Sequence, residues 1–199
     1  MNKIFSLLFI IITLLSCNKI EKMKNKIAPE NPYLKANIDK FYWQTVSDDH
    51  NIVPLIKPYQ LMKITGSNEW YLPTKSNDSF NFKNGSIVKL NSFSTVVNCN
   101  IFPPYVFGID EEVTTISPET NKSIIIKPRL YFIINTDNNN LDTFEDYKFF
   151  KERLNQLNLP NEYSTPDYLF EQFRDNPVLP WFPEEIKKQL EEVKKQKGN

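Results

Sequence analysis

Glycine, histidine and cysteine are all scarce in this chain, and each scarcity removes a class of chemistry. Four glycines are too few for a glycine-rich cradle around a phosphate, and no Walker loop occurs. His50 is the one histidine, which excludes any site built on two imidazoles. The two cysteines, Cys17 and Cys99, stand far apart and form no Cys-x-x-Cys pair. Gly-x-Ser-x-Gly and His-Glu-x-x-His are missing as well, and with them the commonest hydrolase and zinc-peptidase signatures. Net charge is the last absence: 24 basic residues balance 24 acidic ones. Nucleic-acid binding rewards a concentrated basic face, so no nucleic-acid partner is expected. Neither an enzymatic activity nor a cofactor or metal is expected.

Long hydrophobic runs are also rare, and the one present lies at the start. Residues Ile4–Leu15 are apolar apart from Ser6 and Thr13. A helix of that length spans about 18 Å, against a hydrocarbon core of roughly 30 Å. The run is too short to cross a membrane comfortably, but it fits the centre of an export signal with Lys3 ahead of it. Leu14-Leu15-Ser16-Cys17 then resembles the lipobox of bacterial lipoproteins. That resemblance implies cleavage between Ser16 and Cys17, a diacylglyceryl group on the Cys17 thiol, and acylation of the new amino group. Two or more acyl chains hold a protein stably at a bilayer where one does not. Asn18 stands where inner-membrane lipoproteins of enteric bacteria carry aspartate, which points to the outer membrane. Lys19, Lys22, Lys24 and Lys26 follow, either as a solvated tether or as contacts to anionic headgroups at up to ~1 kcal/mol each.

The resulting organisation is a signal peptide over residues 1–16, a lipidated cysteine and tether over 17–37, and one domain over 38–199. A domain of this size buries about 70% of its unfolded surface and needs no covalent staples. With Cys17 acylated, Cys99 has no cysteine to pair with, and its strand-like setting in "STVVNCNIF" predicts a buried, inert thiol.

From about residue 41 to 135 the signals are those of strands: β-branched and aromatic runs between Gly, Pro, Asn and Ser clusters. Tyr59–Ile64 and Glu69–Leu72 read as a hairpin around Gly66-Ser67-Asn68. A second turn falls at Asn84-Gly85 and is followed by one long strand with a bulge near Ser92-Phe93. Leu130–Thr136, continuously apolar, predicts a central strand buried on both faces. Beyond it the period changes. Tyr147, Phe150, Leu154 and Leu157 form a helical stripe, capped by Asp142 or Thr143. Thr165-Pro166-Asp167 opens a second helix with Leu169, Phe170 and Phe173, and Pro183 opens a last one with Ile186, Leu190 and Val193. The expected class is α+β, an antiparallel or mixed sheet followed by two or three helices.

Candidate site residues are few. Asp48, Asp49 and His50 could offer carboxylates and an imidazole to a metal, or an oriented base, although Asp and Asn also serve as turn formers. Asn135–Asp146 is acidic and suggests calcium, but in a loop counted from Asp137, Leu141 and Asp142 occupy the fifth and sixth places where an EF-hand needs Asp or Asn and then Gly. Trp43, Trp70 and Trp181 suit a core, a sugar platform or a protein interface. In Leu179–Pro183, "LPWFP", the prolines bar Trp181 and Phe182 from any regular element, so these rings pack on the domain or on a partner. Trp181, Phe182, His50 and Trp70 are therefore the candidate binding residues.

Ile56–Leu72, "IKPYQLMKITGSNEWYL", and Leu130–Asn135, "LYFIIN", resemble small immunity domains of polymorphic toxin systems. The resemblance implies a non-enzymatic, lipid-anchored protein that binds and neutralises an antibacterial toxin. The alternatives are a surface lipoprotein that binds a glycan or small ligand, and a structural subunit of an envelope complex. A glycosidase using carboxylates alone needs an Asp/Glu pair about 5–9.5 Å apart, and no particular pair stands out.

Overall fold

The computed structural model describes residues 31–85 and 87–197; the apolar run, Ser16 and Cys17 lie outside them. The chain divides into two units, Met1–Asn37 and Ile38–Asn199. In the described part of the first, within the segment read as tether, Pro32–Lys35 forms one helical turn, α1. Asn31 caps it by accepting from the Tyr33 N–H at 3.0 Å.

The second unit is α+β, with strands first and helices last. A 3₁₀ turn at Lys40–Tyr42 leads into β1 Val46–Ser47, β2 His50–Pro54 and β3 Gln60–Ile64, an antiparallel sheet in that order. Two short pairs follow. β4 Leu72–Pro73 pairs with β7 Ser92–Phe93, and β5 Ser79–Asn81 with β6 Ile87–Lys89. The largest sheet among the described residues has the order β13-β12-β9-β8, from β8 Val96–Phe102, β9 Tyr105–Asp110, β12 Leu130–Asn135 and β13 Asn140–Phe144. All of its pairings are antiparallel.

Strand β12 explains the architecture. It lies between β9 and β13, and its alternate residues serve two cores. Leu130, Phe132 and Ile134 join a large core with Val53, Leu61, Leu72, Phe93 and Cys99. Tyr131 and Ile133 face a smaller one with Phe107, Phe150 and Leu154. A strand buried on both faces reads as an unbroken apolar run, as residues Leu130 to Ile134 do. In β8 a register shift between Val96 and Asn98 lets both Val96 and Cys99, three residues apart, enter the large core.

Three helices close the chain: α2 Tyr147–Gln156, α3 Pro166–Asp175 and α4 Glu184–Lys197. Helix α2 buries Phe150 and Leu154 of the expected stripe. Thr165 caps α3, whose Leu169 and Phe173 are buried. Leu190 and Val193 anchor α4.

Several expectations need correction. The cap of α2 is Asp146, which accepts from the Lys148 N–H at 2.8 Å; Asp142 and Thr143 lie in β13, because Asn139 takes a positive φ of 56° and turns the chain back along β12. The long strand after Gly85 is three strands, β6, β7 and β8, and the bulge falls at Val96–Asn98 rather than at Ser92-Phe93. The hairpin around Gly66 survives as a single bridge, Met62↔Tyr71, since β3 pairs mainly with β2.

Between β9 and β12 the chain makes an excursion. β10 Val113–Ile116 and β11 Ser123–Lys127 form a two-stranded antiparallel arm that continues the β9–β12 ladder. At its root the buried Asp110 carboxylate pairs with Lys127 at 2.7 Å and accepts from the Thr95 N–H at 2.8 Å. Burial pushes the Asp110 carboxyl up, against the opposing pull of Lys127 and the Thr95 N–H.

Candidate functional site

The prolines at 177, 180 and 183 keep the link between α3 and α4 out of regular structure, and most of its apolar side chains turn inward. Leu179 and Phe182 are buried. The Phe182 ring meets Tyr42 edge-on at 5.0 Å and Phe173 at 6.4 Å. Trp181 is half-buried against the large core, and its indole N–H donates to the Pro54 carbonyl at 3.2 Å. The link is thus a strap joining β2, the 3₁₀ turn and α3. On its outer side lies an open groove of about 400 Å³, walled by Ile101, Pro103, Pro180, Trp181 and Pro183. Lys187 edges it, paired with Glu184 and donating to the Pro180 carbonyl at 3.3 Å. Rigid apolar walls with one charged edge suit the insertion of an apolar side chain from another molecule.

The four residues singled out in the sequence do not form one site. Trp181 lines the groove, and Phe182, also on its wall, is only 3% exposed. Trp70 is 2% exposed and offers no ring face to a partner. Its indole N–H donates to Asp167 at 2.8 Å, Lys63 meets the same carboxylate at 2.6 Å, and the Lys63 ammonium lies 4.8 Å from the indole centroid. This cluster joins β3 to α3. Burial alone would raise the Asp167 pKa, but the bonds from Lys63 and Trp70 hold it below the usual carboxylate value.

His50 begins β2 after a turn in which Asp48 has a φ of +50°. Its ring is half-buried and lies edge-on to Tyr71 at 6.0 Å. Asp48 and Asp49 are exposed turn residues. Among the described residues no group of three His, Cys, Asp or Glu side chains could hold a metal. In the segment read for calcium, Asn135 and Asn140 pair across the β12–β13 hairpin, and the Tyr59 hydroxyl donates to Asn139 at 2.9 Å. Cys99 is fully buried, and burial pushes its thiol up to about 12.

Trp43 donates its indole N–H to the Ile38 carbonyl at 2.9 Å. The polar edge of every tryptophan is therefore engaged inside the unit, while only Trp70 is buried and Trp43 and Trp181 are half-buried. Sequence reasoning missed Ile101, Pro103 and Lys187 as groove residues. They come from a strand end and a helix far apart in the chain, and no local pattern marks them.

Fold and site together define an α+β domain that presents an apolar groove beside a proline-bound strap. Comparison with protein-family models, curated proteins and solved structures returned no match. Among the described residues no helix is long and apolar enough to cross a membrane.

Proposed function

We propose that this chain is a bacterial lipoprotein, anchored through acyl chains on Cys17, whose domain binds another protein without catalysing a reaction. The observation that carries the reading is the Leu14-Leu15-Ser16-Cys17 box directly behind a short apolar run. Its length suits export and processing rather than spanning. The outer membrane is the proposed location, since Asn18 follows the cysteine. The groove at Trp181 is the proposed contact surface. Its walls are apolar and proline-stiffened, so little side-chain entropy is lost when a partner fills it.

Within that class the partner is an antibacterial toxin arriving at the envelope, and the chain is its immunity protein. Support for this comes from the resemblance of Ile56–Leu72 and Leu130–Asn135 to immunity domains. The first segment holds β3 and the second is the whole of β12. Deleting the gene in its native host should make cells more sensitive to killing by sibling strains. The wild-type chain should restore resistance, while Trp181→Ala and Cys17→Ser should not. Unchanged sensitivity, with no toxin gene next to this one, would sink the immunity reading.

A further inference from the structure

The β10–β11 arm has no neighbouring strand on either side among the described residues. It is apolar on both faces, with Ile116 65%, Ile124 45%, Ile125 51% and Ile126 54% exposed. Isolated two-stranded ribbons are marginal in water, and naked apolar edges invite pairing with another strand. Usual protections are sparse here, because between Lys122 and Lys127 strand β11 carries neither charge nor proline. The arm is nevertheless firmly held, by the buried Asp110–Lys127 pair and by Glu111–Arg129 at its root. Its tip, Ser117–Lys122, is polar and closed by the Ser117 N–H donating to the Lys122 carbonyl at 2.9 Å. A polar tip beyond an apolar middle disfavours entry into a bilayer, because the tip would have to cross first.

We propose that the outer edge of β11 pairs antiparallel with β11 of a second copy of this chain, about a two-fold axis at Ile125. The sequence of the strand is what selects this occupant. Centred on Ile125, the pairing sets Ile125 against Ile125, Ile124 against Ile126, and Ser123 against Lys127. Shifting the centre to Ile124 sets Ile126 against Lys122, and shifting it to Ile126 sets Ile125 against Lys127. Only the first register faces every isoleucine with an isoleucine and keeps lysine opposite serine. Pro128, with no N–H to donate, ends the ladder where the match ends. On one face Ile124 and Ile126 of both copies then form a four-residue apolar cluster, and the Ile125 pair lies on the other.

Such a contact is isologous, as two-fold dimers require. Five residues from each strand bury less than the ~800 Å² per partner of a standard stable interface. The dimer is therefore reversible in dilute solution and is strengthened when both copies share one surface. The proposal depends neither on the lipid anchor nor on the identity of any toxin.

Cysteine crosslinking reads the register directly. Residues facing each other in an antiparallel pair have Cα atoms about 4.5–5.5 Å apart, inside the range a disulfide accepts. The full chain carrying Cys17→Ser keeps only Cys99, which is buried. In that background, held in detergent micelles and mildly oxidised, Ile125→Cys should become mostly disulfide-linked dimer. Ile87→Cys, at an exposed position on β6, should remain monomer. Adding Ile124→Lys and Ile126→Lys to Ile125→Cys should abolish the dimer, with the circular dichroism spectrum unchanged. The proposal is overturned if Ile125→Cys crosslinks no more than Ile87→Cys. It is overturned in favour of a lipid contact if a fluorophore on the thiol introduced by Ile125→Cys shifts with phosphatidylglycerol vesicles while its signal ignores protein concentration.

Discussion

Gly108 sits in the middle of β9, opposite Cys99 on one side and Phe132 on the other. It is not a turn glycine; what it provides is space. A Cβ at this position would lie 2.3 Å from the Asn98 carbonyl oxygen, 2.9 Å from Phe132 Cζ and 3.0 Å from the Cys99 Cα. Two of these neighbours are backbone at the β8 bulge and cannot swing away. The third is a ring stacked on Phe93 at 4.2 Å. Gly108→Ala should thus cost about 3 kcal/mol, the upper part of the usual overpacking range. With a urea slope of about 2 kcal/mol/M for a domain this size, the unfolding midpoint should fall by about 1.5 M. The assay is equilibrium urea denaturation of a soluble form starting at residue 31, followed by circular dichroism. Phe132→Leu shortens the clashing ring, so it should recover part of the loss when combined with Gly108→Ala. The two substitutions should therefore couple in a double-mutant cycle. A midpoint for Gly108→Ala unchanged from wild type would refute this reasoning, as would strict additivity of the pair.

Other predictions are simpler to test. Cys99, buried with its thiol pushed up to about 12, should resist maleimide at pH 8 in the native state and react at once in denaturant. Asp167 has a folded pKa below its unfolded value, so its contribution to stability is present above the unfolded pKa and is lost as pH falls through the folded one. Asp167→Asn should therefore lower the urea midpoint at pH 7, and the two midpoints should converge in strong acid. A difference independent of pH would show that the Lys63–Asp167 attraction is not its source.

Legibility from sequence followed the physics of each element. β12 stood out because burial on both faces demands an uninterrupted apolar run. The three C-terminal helices stood out through their stripes, caps and prolines. β13 was hidden: Asn140, Asp142 and Thr143 read as loop and cap residues, yet pairing with β12 overrides their weak strand preference. The long strand after Gly85 hid its two breaks, at Leu90-Asn91 and Ser94-Thr95, because the β-branched and aromatic residues on either side read as one run and the Asn and Ser between them read as a bulge.

The arm teaches a sharper point. Ile124–Ile126 and Ile133-Ile134 are written in the same letters, one exposed and the other buried. What separates them is whether neighbouring strands exist, and that is a property of the whole topology. The site divides similarly. Proline spacing announced the strap, but not which of its rings would face outward. Nothing local to Trp70 revealed that Asp167 and Lys63 would hold it in the core.

The proposed lipoprotein is displayed from a membrane through Cys17. The most direct test of this proposal is the intact mass of the protein extracted from the membranes of its own cells. The expected chain begins at Cys17, lacks residues 1–16, and carries the added mass of a diacylglyceryl group and an amide-linked acyl chain. A chain that still begins at Met1, or one whose Cys17 is a free thiol, would contradict it.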